Sequence, residues 1–279
     1  KKVIPIICEF FHSCSQADTK VKLALSSPDV MENIIRTMYT PKDGVLRVLS
    51  LDDTVSLTKA IKYIAMVADT RDNLTDAGVM EMICEMLKYD FGISIHSHLI
   101  MLLNSMCKLS SQVSKKRVGI VADSRLLPYL VEYMGKETEL KSMTLSVIME
   151  LYNVVKTDKV AMKKLINDKL IDIYLSNLPV FFWGSKAINA ISSLLNEDQE
   201  EIEPMIITDS ALDLFRKGID VVEKDNAQTF ISRFSSIVRK SNKFTNKLIN
   251  KDLLSILIKF VNKNRISSLT SSLLLSYLL

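Results

Sequence analysis

The stretch from Ile95 to Leu175 carries one pattern twice. The first copy is a long apolar segment, His98-Leu-Ile-Met-Leu-Leu-Asn-Ser-Met-Cys-Lys108. A shorter basic segment follows, Ser114-Lys-Lys-Arg-Val-Gly-Ile-Val121, and then Ala122-Asp-Ser-Arg125 and Leu126-Leu-Pro-Tyr-Leu-Val131. The second copy is Ser142-Met-Thr-Leu-Ser-Val-Ile-Met-Glu-Leu-Tyr-Asn-Val-Val-Lys156, then Val160-Ala-Met-Lys-Lys-Leu-Ile-Asn-Asp-Lys169, then Leu170-Ile-Asp-Ile-Tyr-Leu175.

Weaker copies extend in both directions. The apolar pairs that follow each punctuation are Val30-Met31, Val79-Met80, Leu126-Leu127, Leu170-Ile171, Ala211-Leu212 and Leu253-Leu254. They are spaced by 49, 47, 44, 41 and 42 residues. Helix-triplet solenoids repeat every ~40 to 47 residues. Inside the units the apolar phase is helical: Leu57, Ile61, Ile64, Ala65 and Ala68; Leu99, Leu102, Leu103, Met106 and Leu109; Ile188, Ile191 and Leu195; Phe230, Phe234, Ile237 and Val238. Asp76-Ala-Gly78, Asp123-Ser124, Asn167-Asp168, Thr208-Asp209-Ser210 and Asn250-Lys-Asp252 supply N-caps or turn residues.

A helix triplet cannot bury its own apolar stripe, but stacked triplets share a continuous core. The expected fold is therefore all-α, a right-handed superhelical solenoid of armadillo/HEAT type. It forms one domain of about six repeats, at 1–39, 54–90, 93–136, 137–179, 181–222 and 225–262, with a partial last helix at 265–279. Thr40 to Asp53 reads as a loop inserted between the first two repeats. Leu178-Pro-Val-Phe-Phe-Trp-Gly184 sets three aromatics in a linker, as a buried staple or an exposed contact patch. The chain opens and closes inside helical patterns. That suggests a piece of a longer polypeptide, whose terminal helices would favour a homodimer.

Composition narrows the function classes. Only 7 Gly and 6 Pro occur in 279 residues, which suits helices with short connections. The net charge of +4 arises from 36 basic and 32 acidic residues well mixed along the chain, where a nucleic-acid binder would concentrate its excess. The apolar runs fall short of the ~18 to 20 residues of a membrane span, and Lys1-Lys2-Val-Ile-Pro5 is no signal peptide. Cys8, Cys14, Cys84 and Cys107 lack paired spacing and read as reduced structural thiols of a cytoplasmic protein.

No motif of reaction chemistry emerges. His96 and His98 are two apart, on different faces of a helix, and His12 stands far off, so no metal site is expected. Asp90-Phe91-Gly92 spells a kinase metal-binding tripeptide, but without any other kinase signature it reads as a helix-closing turn. No nucleophile, cofactor loop or catalytic residue is expected.

Two surfaces are candidates for a protein partner. The long third helices of armadillo units line a groove, and two of them carry Asn104 and Asn153, followed by Lys108 and Lys156; such amides can bond an extended peptide backbone. Basic side chains cluster at Ser114-Lys-Lys-Arg117. They also recur at Arg239, Lys240, Lys243, Lys247 and Lys251, near i, i+4, i+8 spacing on one helix face.

The runs Arg71-Asp-Asn-Leu-Thr-Asp-Ala-Gly-Val-Met-Glu-Met-Ile83, Lys115 to Leu130 and Leu170 to Leu175 resemble the C-terminal helical region of the septation-initiation kinases. That group comprises the fission-yeast-type septation kinase and the plant MAP kinase kinase kinase epsilon group. Trp183-Gly-Ser-Lys-Ala-Ile-Asn-Ala-Ile191, Ile206 to Phe215 and Ser241 to Ile249 continue the likeness, which covers roughly Val3 to Val261. The resemblance implies the non-catalytic part of a Ser/Thr kinase, binding a small GTPase or spindle-pole scaffold in the cytoplasm or at the division site. It carries over no binding residue. Nuclear-import adaptors use a ladder of groove Trp and Asn, whereas Trp183 lies outside the groove-helix pattern. The regulatory armadillo region of diaphanous-type formins, which also binds Rho-family GTPases, is the alternative resemblance.

Overall fold

The computed structural model describes residues 3–38, 41–42, 45–46, 49–107, 114–135, 138–154, 158–222, 224–250 and 253–264. Two compact units divide the chain, Lys1–Lys164 and Leu165–Leu279.

The first unit holds α1 (Val3–Ser15), α2 (Thr19–Leu25), α3 (Pro28–Met38), α4 (Leu51–Ala65), a 3₁₀ turn at Ala68–Thr70, α5 (Arg71–Asp76), α6 (Val79–Met86) and α7 (Ile93–Cys107). It continues with α8 (Ser114–Asp123), α9 (Leu127–Met134), α10 (Thr138–Glu150), a second 3₁₀ turn at Leu151–Val154, and α11 (Lys159–Asn167), inside which the division falls. A short first helix, a second helix and a longer third helix thus recur in order. The third helices α1, α4, α7 and α10 stack each on the next. Leu57, Ala60, Ile61, Ile64 and Ala65 on α4, and Leu99, Ile100, Leu102, Leu103 and Met106 on α7, are sealed from solvent, which is the apolar phase read from the sequence.

The turn between first and second helix uses one device three times. Gly78, Arg125 and Lys169 have φ of 89°, 53° and 69°, each directly before the apolar residue that opens the next segment, Val79, Leu126 or Leu170. A left-handed residue reverses the chain within one position. Of the residues read as N-caps or turn residues, Asp76 and Asp123 close α5 and α8 and Asp168 lies in the turn before α12, while the N-cap positions of α6, α9 and α12 have no side-chain bond. Thr208 caps α15 as expected, accepting from the Ala211 amide at 3.2 Å.

The expected loop at Thr40 to Asp53 is also shortened. Pro41–Lys42 pairs antiparallel with Val45–Leu46, and α4 already begins at Leu51. Ser50 explains the early start, since its hydroxyl accepts from the Asp53 amide at 3.3 Å while Asp52 and Asp53 favour the positive end of the helix. Thr40 and 43–44 and 47–48 of that stretch lie outside the described residues, as does the expected last helix at 265–279.

The second unit holds α12 (Leu170–Asn177), α13 (Gly184–Glu197), α14 (Gln199–Ile206), α15 (Asp209–Val221), α16 (Lys224–Lys240), α17 (Asn242–Asn250) and α18 (Leu253–Asn264). The third helices α13 and α16 pack together, as do the second helices α12 with α15 and α15 with α18. Phe215, Phe234 and Phe244 meet edge-on, with centroids 5.1 to 5.9 Å apart. The linker aromatics divide: Trp183 is buried, whereas Phe181 and Phe182 are 63% and 67% exposed. After the linker the chain enters α13 at Gly184, where a Cβ would stand 2.5 Å from the Leu178 carbonyl oxygen.

Two substitutions test these backbone constraints by urea unfolding. Gly184→Ala forces backbone atoms apart and is expected to destabilise by about 2 kcal/mol. Gly78→Ala meets no neighbour but strains the left-handed turn, and is expected to cost about 1 kcal/mol. Unchanged stability in either variant would contradict the corresponding constraint.

Candidate functional site: the third-helix face of the first unit

Beyond its first turn, which holds the partly exposed Asp53, the partly exposed positions of α4 are Val55, Ser56, Lys59, Lys62 and Tyr63; on α7 they are Ser97, His98, Met101, Asn104 and Ser105. Both sets follow the same helical spacing on the side opposite the buried stripe. Asn104 fixes the register with α10, its Oδ1 accepting from Ser146 Oγ at 3.3 Å across the seam. The result is a face of aligned amide, hydroxyl, thioether and basic groups, able to bond an extended backbone and to seat apolar side chains between them.

The expected Asn pair is only half realised there. Asn104 sits on this face, but its cross-helix neighbour is Ser146 rather than Asn153. α10 ends at Glu150, and Asn153 falls in the following 3₁₀ turn, its amide nitrogen donating to Glu150 Oε2 at 2.9 Å. The structure thus brings Asn104 and Ser146 together and leaves Asn153 in a local bond. Lys108 and Lys156 lie outside the described residues.

The basic runs are used differently. Arg117 on α8 is 2% exposed. It donates Nε to Thr75 Oγ1 at 2.9 Å and Nη1 to the Met106 carbonyl at 3.3 Å, and pairs through Nη2 with Asp72. Beside it, Arg71 donates to the Ala65 carbonyl at 2.9 Å. Lys116 pairs with Asp76 at 2.7 Å, and the same relation recurs one triplet later between Lys164 and Asp123 at 2.6 Å. These bonds tie one first helix to the next, so Lys116 and Arg117 serve the stack rather than a docking patch.

The second basic run is not one helix face. α16 stops at Lys240 and α17 starts at Asn242, because the Ser241 hydroxyl accepts from the Phe244 amide at 3.0 Å and begins a new helix. Arg239, Lys243 and Lys247 are exposed on two helices, and Lys251 lies outside the described residues. Lys243 reaches Glu203 at 3.2 Å. The Ser241 hydroxyl, 2.6 Å away, holds the Glu203 carboxyl below its ordinary range with help from Gln199 and Lys243, against the effect of burial.

His96 is structural. It is buried, with Nε2 2.8 Å from the Tyr89 carbonyl and 3.2 Å from the Tyr133 hydroxyl. His98, two residues on, belongs to the third-helix face. Asp90-Phe91-Gly92 is a turn, its Gly92 amide donating to Asp90 Oδ1 at 3.1 Å. Burial pushes the Cys84 and Cys107 thiols up to about 12, the range of inert packed side chains. Among the described residues no group of three or more His, Cys, Asp or Glu is placed to hold a metal ion, and no helix is long and apolar enough to cross a membrane.

Sequence reasoning missed the neighbourhood of His12, Lys59, Lys62 and His98. His12 on α1 lies 5.8 Å, ring to ring, from Tyr63 on α4. Burial and then Lys59 and Lys62 lower its pKa; burial and then Lys62 and Lys59 do the same to His98 on α7. Three helices contribute, so no local motif announces the cluster. Its only sequence signal is that Lys59 and Lys62 lie off the apolar phase of α4.

No family model matches the chain. It is 21% identical over 258 residues to the cytokinesis protein sepH of Emericella nidulans, covering 89% of this chain and 18% of that protein. To MAP3K epsilon protein kinase 1 of Arabidopsis thaliana it is 20% identical over 266 residues, covering 92% and 18%. To cell division control protein 7 of Schizosaccharomyces pombe it is 24% identical over 204 residues, covering 72% and 18%. The chain thus spans less than a fifth of the length of these relatives. Among solved structures, a designed armadillo repeat protein in complex with the peptide (KR)4 superposes with a TM-score of 0.66 at 13% identity, over 89% of this chain and 99% of that one. A computationally designed armadillo repeat protein for modular peptide recognition gives 0.53 at 11% identity, over 80% and 94%. The fold is that of an armadillo solenoid.

Arg117→Ala leaves Asp72 and Thr75 without their partner and opens a hole, so a loss of roughly 3 kcal/mol in a urea melt is expected; a loss below 1 kcal/mol would show the bonds to be incidental. The depressed Glu203 carboxyl contributes stability that is full above its ordinary value of 4.5 and is lost as pH falls through its folded value. Melting of Glu203→Gln should accordingly depend less on acid pH than that of the unchanged protein. Parallel acid profiles would contradict the Ser241–Glu203 account.

Proposed function

We propose that this chain is the non-catalytic, protein-binding region of a Ser/Thr kinase acting in cell division, and that its third-helix face takes a segment of a small GTPase or spindle-pole scaffold. The observation that carries the reading is the alignment of α4, α7 and α10, which leaves Lys62, Met101, Asn104 and Ser146 together on one face. The armadillo fold supports a peptide-binding role, because the designed neighbour holds a peptide. Relatives named for cytokinesis and as protein kinases support the cell-division setting. Since the match spans 18% of those proteins, this reading assigns catalysis to residues outside the matched region and tethering or localisation to the region itself. It favours a kinase attachment over a formin one, because kinase names stand among the relatives.

A capture assay against a panel of small GTPases, each loaded with GDP or a GTP analogue, tests the partner class. The expected result is retention of one GTPase in its GTP form, lost on Met101→Arg at the centre of the face and kept on Tyr129→Arg on the second helix α9. Capture of none in either state would overturn the GTPase reading. Loss on Tyr129→Arg alone would move the site to the second helices.

A further inference from the structure

The cluster that no sequence motif marks has an unbalanced charge. Lys59 and Lys62 are half-buried on α4, and neither has a carboxylate partner among the described residues. Lys62 lies only over its neighbour Tyr63, 4.9 Å from the ring centroid. On the first helices, by contrast, Lys116, Arg117 and Lys164 each pair with an aspartate.

Two imidazoles flank these ammonium groups, His12 from α1 and His98 from α7. In both rings Nδ1 is enclosed without a hydrogen-bond partner. Gln16 Nε2 stands 3.2 Å from His12 Nε2, so the amide donates to that nitrogen and the proton of the neutral His12 ring rests on the unpartnered Nδ1. Among the described residues, Lys59 and Lys62 are the charges that act on both rings, and no charge of α2, which packs on α1, or of α6, α8 or α10, which pack on α7, is among the causes of either shift. The lysines therefore oppose protonation of both histidines, and an anion seated on the lysines would reverse the field at both rings at once.

We propose that His12, Lys59, Lys62 and His98 form an anion-binding subsite that takes the carboxylates of an Asp/Glu-rich segment of the protein partner and holds it more tightly as pH falls. A peptide fits better than a simple ion, because the subsite continues along the face to Met101, Asn104 and Ser146, which offer apolar and amide contacts to the chain beyond the acidic side chains. Acid strengthens the hold because an anion on the lysines offsets the positive charge that opposes protonation of the two flanking histidines. The inference deepens the protein-binding reading by giving the chemistry of the segment bound.

The test is fluorescence anisotropy of the whole chain with labelled (Asp-Glu)4 and (Lys-Arg)4 peptides at pH 7.5 and 5.5, beside sedimentation with phosphatidylserine vesicles. The expected result is binding of the acidic peptide alone, roughly three- to tenfold tighter at the lower pH. Lys59→Glu with Lys62→Glu should weaken it by about tenfold or more, with the melting temperature kept because both side chains are half-exposed. His12→Gln with His98→Gln should abolish the gain at pH 5.5, so that the affinities at the two pH values become equal. Preference for the basic peptide, binding of vesicles without the acidic peptide, or indifference to the lysine reversal would each overturn the subsite. GTPase capture separates the two levels: capture unaffected by the lysine reversal sinks the subsite while the protein-binding reading stands. Acidic-peptide binding without any protein captured does the opposite.

Discussion

An apolar stripe on a third helix has to be covered by the next third helix, and the rest of the architecture follows from that need. No single triplet encloses Ile61 and Ile64, or Leu99 and Leu103, within itself; α1, α4, α7 and α10 bury these side chains only by lying side by side. The left-handed turns at Gly78, Arg125 and Lys169 return the chain for each new layer. First helices then bond to first helices, Arg117 to Asp72 and Lys164 to Asp123, which ties the layers a second time.

Stacking also decides what remains for a partner. α4 and α7 each spend two sides on neighbouring third helices and one on the helices of their own triplets, so one side stays in solvent with the same spacing on both. Charges are distributed accordingly. Lys116, Arg117 and Lys164 on the first helices pair with aspartates, whereas Lys59 and Lys62 on the outward side have no carboxylate partner among the described residues. An unneutralised pair on a surface whose backbone is already rigid loses little entropy on binding.

The helical phases, the six apolar anchors and the turns before Val79, Leu126 and Leu170 were legible because each depends on neighbours within a few residues. The errors share another physical origin. Ser50 and Ser241 are helix starts written by one hydroxyl each, and the larger signals around them, the polar stretch at 40–53 and the lysine spacing at 239–251, point to a loop and to one continuous helix. Asn104 and Asn153 resemble each other in sequence, yet register across a seam is set by packing and pairs Asn104 with Ser146. The His12, Lys59, Lys62 and His98 group joins residues from three helices, and only the stack brings them together.

Photo-crosslinking tests the central claim, that the outward side of the third helices is the binding face, most directly. A benzophenone amino acid is placed either at Met101 on α7 or at Tyr129 on α9, and the chain is irradiated in a cell extract. The account predicts one discrete protein adduct from position 101 and none from position 129. Adducts from 129 with none from 101 would contradict it.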